Sequence, residues 1–334
     1  MRRSLYFPII IDLIKRPPNP LVFINYLSYK LAHIRKKIVL KHFPISLVFF
    51  INKKCNLTCE FCFTSADLNN SDANSFNLTY DELITFLNSK SGRRTLRVGL
   101  LGGEPFLHPE VFSFLDELYK RRKISTVVTN CTLLKGEKLE LLCKTPVSAI
   151  GLSLYEDNSM DVKRVAEQLV IYKKNFWMQK IIASNEISKI ESIIAFAISI
   201  GCKNLQLSNY YPMSEEDKAL TVYDDNEEYK KASKVLNLKY KGKININWFC
   251  AIKKASAPKK CRIPFNFQYL DNKGSLGACC FLSPNEEKYG NFNTPDSWNA
   301  PYYQELRKNL LDEKAEPFDV CKNCETLHQD LYGV

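Results

Sequence analysis

The chain has 334 residues, 45% hydrophobic and 25% charged, with a formal net charge of +11. That length carries one large domain and a smaller appendage, and the composition excludes a disordered, collagen-like or low-complexity chain. No run approaches the ~20 apolar residues of a spanning helix, and the apolar start at 7–14 holds Pro8 and Asp12 with no small-residue cleavage site behind it, unlike a signal peptide.

Residues 1–54 carry eleven Lys and Arg against one acid, Asp12, which is nearly the whole charge excess. Such a block suits an anionic partner, such as a membrane surface, a phosphorylated substrate or an acidic peptide. Its plainer reading is a solvated helix face, and nucleic acid is not an expected partner. Within it Ile24, Leu27, Leu31, Ile34 and Ile38 share one helical face. We expect this stripe to pack on the neighbouring domain; a membrane-surface helix is the sharper alternative.

From residue 47 onward strands and helices alternate. Strands are predicted at 47–52, 96–101, 125–129, 149–154, 180–183 and 204–208, several of them short runs rich in Val and Ile, as strands buried on both faces are. Helices are predicted at 79–88, 109–121, 136–143, 161–174 and 188–200; the first opens on a start signal at Thr79 and the last stops at Gly201. Six strands with helices between them imply an α/β parallel sheet, and six are too few to close an eight-stranded barrel. Residues 213–245 read as a polar helical linker. The stretch 246–334 holds six of the twelve cysteines, a hairpin-like turn at Asn272-Lys273-Gly274 and a helix near 302–312, and reads as a small metal-binding domain.

Twelve cysteines in a long chain without a signal peptide point to a reducing cytoplasm and to metal or catalysis rather than disulfides. Cys55, Cys59 and Cys62 lie at C-x3-C-x2-C directly after the first strand. Such a loop can place three thiolates on one face of a cubic iron–sulfur cluster, leaving one iron open for a ligand. A zinc site wants a fourth Cys or His, and none lies in the loop. Asn56, Thr58 and Glu60 interleave the cysteines, so they form no apolar face.

This loop resembles the signature of the radical S-adenosylmethionine (SAM) superfamily. Gly102-Gly103-Glu104-Pro105, at the end of the second strand, resembles the family segment that receives the SAM amino group. Glycines allow close backbone approach, and a carboxylate accepts from an ammonium. Softer matches follow. Thr129-Asn130 stands where the family often reads Thr-Asn-Gly, with Cys131 replacing the glycine. Ser153 and Asn185 end strands where the family has polar SAM contacts, and Phe61 resembles the residue whose backbone meets the adenine. Ordinary strand-end capping would explain Asn130, Ser153 and Asn185 equally well. Cys131, near the expected SAM position, is the candidate catalytic residue because its thiol could donate a hydrogen atom; packing is the plainer reading.

The resemblance implies a partial (β/α)6 barrel over 47–212 and a [4Fe-4S] cluster that binds SAM. It implies reductive cleavage to a 5′-deoxyadenosyl radical, which takes a hydrogen atom from the substrate. An electron donor such as flavodoxin or ferredoxin is implied as well. Cys261, Cys279, Cys321 and Cys324 are similar to the SPASM and shorter twitch extensions of the family, as are Gly290-Asn291-Phe292 and 298–307. They imply one auxiliary [4Fe-4S] cluster. Cys280 could replace Cys279, and a four-cysteine zinc site fits the same thiolates. The chain departs from a full SPASM pattern, because no further cysteine follows Cys324.

Relatives with such extensions mostly crosslink, epimerise or oxidise peptides, and others act on sugar-like molecules. The 46 residues before the first strand are too few for a leader-binding domain, so a peptide presented by a separate partner is expected. A small sugar-like or lipid-linked substrate is the alternative. A non-enzymatic iron–sulfur or zinc protein is a weaker reading, since it has no use for the open loop and the Gly-Gly-Glu-Pro segment.

Overall fold

The computed structural model describes residues 3–62, 77–212, 214–253, 257–270, 275–279 and 297–328. Six strands alternate with helices: β1 (Ser46–Phe50), β2 (Arg97–Leu101), β3 (Ile124–Thr129), β4 (Ala149–Ser153), β5 (Phe176–Ile182) and β6 (Asn204–Asn209). Each pairs in parallel with the next. The crossovers run in helices such as Tyr80–Asn88, Val111–Lys120 and Ile190–Ser199, whose inner faces bury Leu83, Phe114 and Ile194 against the sheet. The first of these helices starts on a capping box in which Thr79 and Glu82 satisfy each other's backbone N–H groups.

The sheet is open and wider than expected. Three further strands flank the six: β7 (Asn245–Asn247) beside β6, and β8 (Phe267–Leu270) and β9 (Leu276–Gly277), on either side of the expected hairpin-like turn, beyond β1. β8 runs parallel to β1, and β9 returns antiparallel on it. The turn expected at 272–274 lies outside the described residues, as do Cys280 and 290–292. β5 begins at Phe176, earlier than expected, because Phe176 and Met178 are buried and extend the apolar run.

The N-terminal stripe is a correction. Helix α1 (Arg3–Lys15) precedes α2 (Pro20–Ile34), which packs on the body through Val22, Asn25 and Tyr29. Asn25 accepts from the Phe43 amide at 2.8 Å and donates to the Phe43 carbonyl at 3.0 Å, while Tyr29 meets the His42 ring edge-on. Two polar-tipped side chains therefore decide which face docks. The apolar face points away: Ile24, Leu27, Leu31 and Ile34 are 57, 47, 53 and 76% exposed. No helix among the described residues is long and apolar enough to cross a membrane.

Candidate active site

Parallel strands place their carboxyl ends on one rim, and the cysteine loop leaves the end of β1 there. All three thiols are half-buried. Burial, then the charges of Cys62 and Cys55, push the Cys59 thiol up to about 11; burial first, with Glu104 and Cys62 adding, raises Cys55. Thiols shifted this way stay protonated until a cation takes the proton's place. The donor set therefore fits a metal group, whose charge supplies the missing compensation. Among the described residues no three His, Cys, Asp or Glu side chains converge tightly enough for a single metal ion. A cubic cluster spreads its thiolates more widely.

Gly102 and Gly103 lie against the chain entering that loop. A Cβ on Gly102 would meet Asn52 Oδ1 at 2.2 Å, and one on Gly103 would meet the Lys54 carbonyl oxygen at 2.2 Å. Their amide neighbours are bonded across the same seam: Gly103 N–H donates to the Asn52 carbonyl at 3.0 Å and Glu104 N–H to the Lys54 carbonyl at 2.9 Å. The glycines thus admit the chain's own backbone, a role the cofactor reading had not supplied. Pro105 follows, buried, opening a short turn over Pro105–Leu107.

Glu104 is buried, and its carboxylate faces β3. One oxygen accepts from the Thr129 hydroxyl at 2.8 Å and the Phe106 amide at 3.1 Å; the other accepts from the Asn130 amide at 2.8 Å. Burial raises this carboxyl above its ordinary value while the three donors pull it down. The Asn130 side chain closes a cycle with the cysteine loop. It donates to Asn56 Oδ1 at 3.0 Å, Asn56 donates to the Thr132 hydroxyl at 2.8 Å, and that hydroxyl donates back to Asn130 Oδ1 at 2.6 Å. Asn158 then ties β3 to β4, donating to the Asn130 and Ser153 carbonyls at 2.8 Å each. Asn56, Thr132 and Asn158 escaped the sequence reading, although Asn56 sits inside the motif.

Ser153 ends β4, and its hydroxyl accepts from Gln179 at 3.1 Å. Tyr155 lies beside the three cysteines and stacks at a tilt on Phe61, ring centres 5.5 Å apart. Asn185 differs from the rest. β5 stops at Ile182, and Asn185 is exposed in a short helix at Ser184–Lys189, with no hydrogen bond to the set among the described residues. Cys131 is fully buried, with its backbone at φ 69°, the left-handed region that favours glycine. Burial, then the Glu104 charge, pushes its thiol well up.

A second cysteine group lines a cavity of about 30 Å³, more than the 10–15 Å³ one water needs. Cys261, Cys279, Cys321 and Cys324 share it with Ile263, Leu306 and Leu310. Burial, then neighbouring thiols, pushes Cys321 up to about 12, and burial does the same to Cys261. Again the donors suit a metal group. The pair Cys321/Cys324 is anchored to the sheet, because Glu325 accepts from the Asn209 amide at 3.0 Å.

The sequence pattern of the radical SAM superfamily matches residues 50–207, the stretch that contains this rim. Residues 50–207, just under half of the chain, form a radical SAM domain. Members of that superfamily are enzymes that use a [4Fe-4S] cluster and SAM. Over 121 residues the chain is 36% identical to the Bacillus subtilis subtilosin biosynthesis protein AlbA, covering 35% of this chain and 25% of AlbA. It is 20% identical over 317 residues to the PqqA peptide cyclase of Gluconobacter oxydans, covering 87% of this chain and 85% of that protein. In fold it is similar to Streptococcus suis SuiB bound to SAM, with a TM-score of 0.64 and 19% identity over 97% of this chain and 83% of SuiB. SuiB has also been solved with its precursor peptide SuiA.

Proposed function

We propose that this radical SAM enzyme modifies a peptide or protein by crosslinking, epimerisation or oxidation. The observation that carries the reading is the rim itself. Three half-buried, mutually interacting thiols stand on a loop that Asn130 and Glu104 lock to the ends of the neighbouring strands. Cys55, Cys59 and Cys62 would hold the SAM-binding cluster; Cys261, Cys279, Cys321 and Cys324 would hold an auxiliary one. When bound, the first cluster would supply the electron for reductive cleavage of SAM, and SAM the radical chemistry that removes a substrate hydrogen. The chain's own part would be to seat SAM with Gly102, Gly103, Glu104, Pro105, Asn130, Phe61 and Ser153. Asn185, exposed beyond β5, would join only from the margin of the site.

Kinship with PqqA peptide cyclase and AlbA, and likeness in fold to a SuiB captured with a precursor peptide, favour a peptide substrate. The same reading implies a reducing cytoplasm, an electron donor such as flavodoxin or ferredoxin, and an anionic partner at the basic N-terminus. The test is isotopic. Protein, SAM and reductant are incubated with deuterated forms of short peptides encoded beside its gene. Deuterium in 5′-deoxyadenosine and a changed peptide mass are expected. Label transferred from a deuterated sugar and from none of the peptides would overturn the peptide reading.

A further inference from the structure

The outward face of α2 is a continuous apolar stripe. Phe23, Ile24, Leu27, Leu31 and Ile34 lie opposite the docked residues Val22, Asn25 and Tyr29, and are 47–76% exposed. Ile10 and Ile14 of α1 and Val39 beyond α2 are exposed as well. Leaving so many large side chains in water is unfavourable, and a patch of this kind marks an interaction site. Cations stand at both ends of the stripe: Lys15 before it and Arg35, Lys36, Lys37 and Lys41 after it, all exposed. These five make no ion pair among the described residues, and Asp12, the only acid in residues 1–54, is already paired with Arg16.

We propose that this face binds an anionic lipid bilayer, with α2 lying along the headgroup layer, its apolar stripe inserted and its flanking cations on lipid phosphates. Apolar insertion and cation attraction then act together, as they do in interfacial helices. A second copy of the chain is a poorer occupant, because pairing the faces would bring two strongly cationic segments together. A peptide is poorer too, because the stripe offers no polar groups to answer a peptide backbone. The inference extends the anionic-partner part of the proposed function and is independent of SAM chemistry.

The experiment is flotation of the full-length protein with phosphatidylcholine vesicles and with vesicles that also contain phosphatidylglycerol, at low and high salt. Binding is expected to the mixed vesicles only, and to weaken with salt. Ile24→Ser/Leu27→Ser/Leu31→Ser, all exposed positions, should abolish it with an unchanged circular dichroism spectrum. Lys36→Gln/Lys37→Gln should weaken it about thirtyfold. Failure of the wild type to float with mixed vesicles, or equal flotation of the serine variant, would overturn the proposal. So would a wild-type dimer by light scattering that the serine substitutions dissolve, since a second copy would then cover the face. Vesicle binding is read without turnover, so its failure leaves the enzymatic reading untouched.

Discussion

The Glu104 carboxylate accepts a hydrogen bond from the Asn130 amide at 2.8 Å, across the seam between β2 and β3. Together with the Thr129 hydroxyl and the Phe106 amide it gives a buried carboxylate three donors. Glu104→Gln replaces an acceptor with an N–H that faces a donor. Each lost charge-assisted bond is worth about 1.5–3 kcal/mol, so a loss of about 2 kcal/mol in urea unfolding is expected, with slower SAM cleavage. An unchanged unfolding midpoint would contradict the role given to this network.

Gly103 has a steric reason to be glycine and Gly136 a conformational one. A Cβ on Gly103 strikes the Lys54 carbonyl, whereas one on Gly136, at φ 50°, would meet nothing within 4 Å among the described residues. Gly103→Ala must push apart the seam that carries the cysteine loop, and should cost about 3 kcal/mol and most of the SAM cleavage. Gly136→Ala pays only for its left-handed backbone, about 1 kcal/mol, and should keep its activity. Thermal unfolding and 5′-deoxyadenosine release on both variants separate the two effects.

His42 is buried between Tyr29 and Trp298, and its Nε2 lies 2.8 Å from the Phe265 carbonyl oxygen. Burial above all, with the nearby Arg307 charge, lowers its pKa from 6.5 to about 4, against the pull of that carbonyl. Its Nδ1 is buried with no hydrogen-bond partner among the described residues, so a second proton there would go unsatisfied. The unfolded chain therefore takes up a proton at higher pH than the fold does. Stability contributed by neutral His42 is full above about 6.5 and is lost as pH falls toward 4, by about 3 kcal/mol at most. Urea midpoints of wild type and His42→Gln at several pH values should diverge least at pH 4 and most above 6.5. Parallel curves would contradict the argument.

Much of the barrel was legible because buried parallel strands are short apolar runs, and β2, β3 and β4 fall within a residue of their expected positions. The edge strands were not. β7 is Asn-Ile-Asn, with no apolar run to read, and β8 lies close behind Cys261, where the cysteines drew the reading toward metal binding. The cysteine loop could be read from spacing alone. Its supports could not, since Asn56 and Asn130 are 74 residues apart and meet only in the fold. Apolar periodicity found the α2 stripe but mistook its direction, because the docked face is set by Asn25 and Tyr29.

Cys321 and Cys324 share a cavity with Cys261 and Cys279, well away in sequence from the first cysteine loop. Cys321→Ser/Cys324→Ser is expected to lower bound iron from about eight to about four per chain while SAM cleavage persists. Unchanged iron, or zinc in place of the lost iron, would contradict an auxiliary iron–sulfur cluster.

The central claim is tested most directly by anaerobic reconstitution, followed by 5′-deoxyadenosine release from SAM with dithionite, for wild type and Cys55→Ala/Cys59→Ala/Cys62→Ala. The account predicts release by the wild type and none by the triple variant, which should retain only the iron of the second site. Folded, iron-loaded wild type that releases no 5′-deoxyadenosine, or a triple variant that still does, would contradict it.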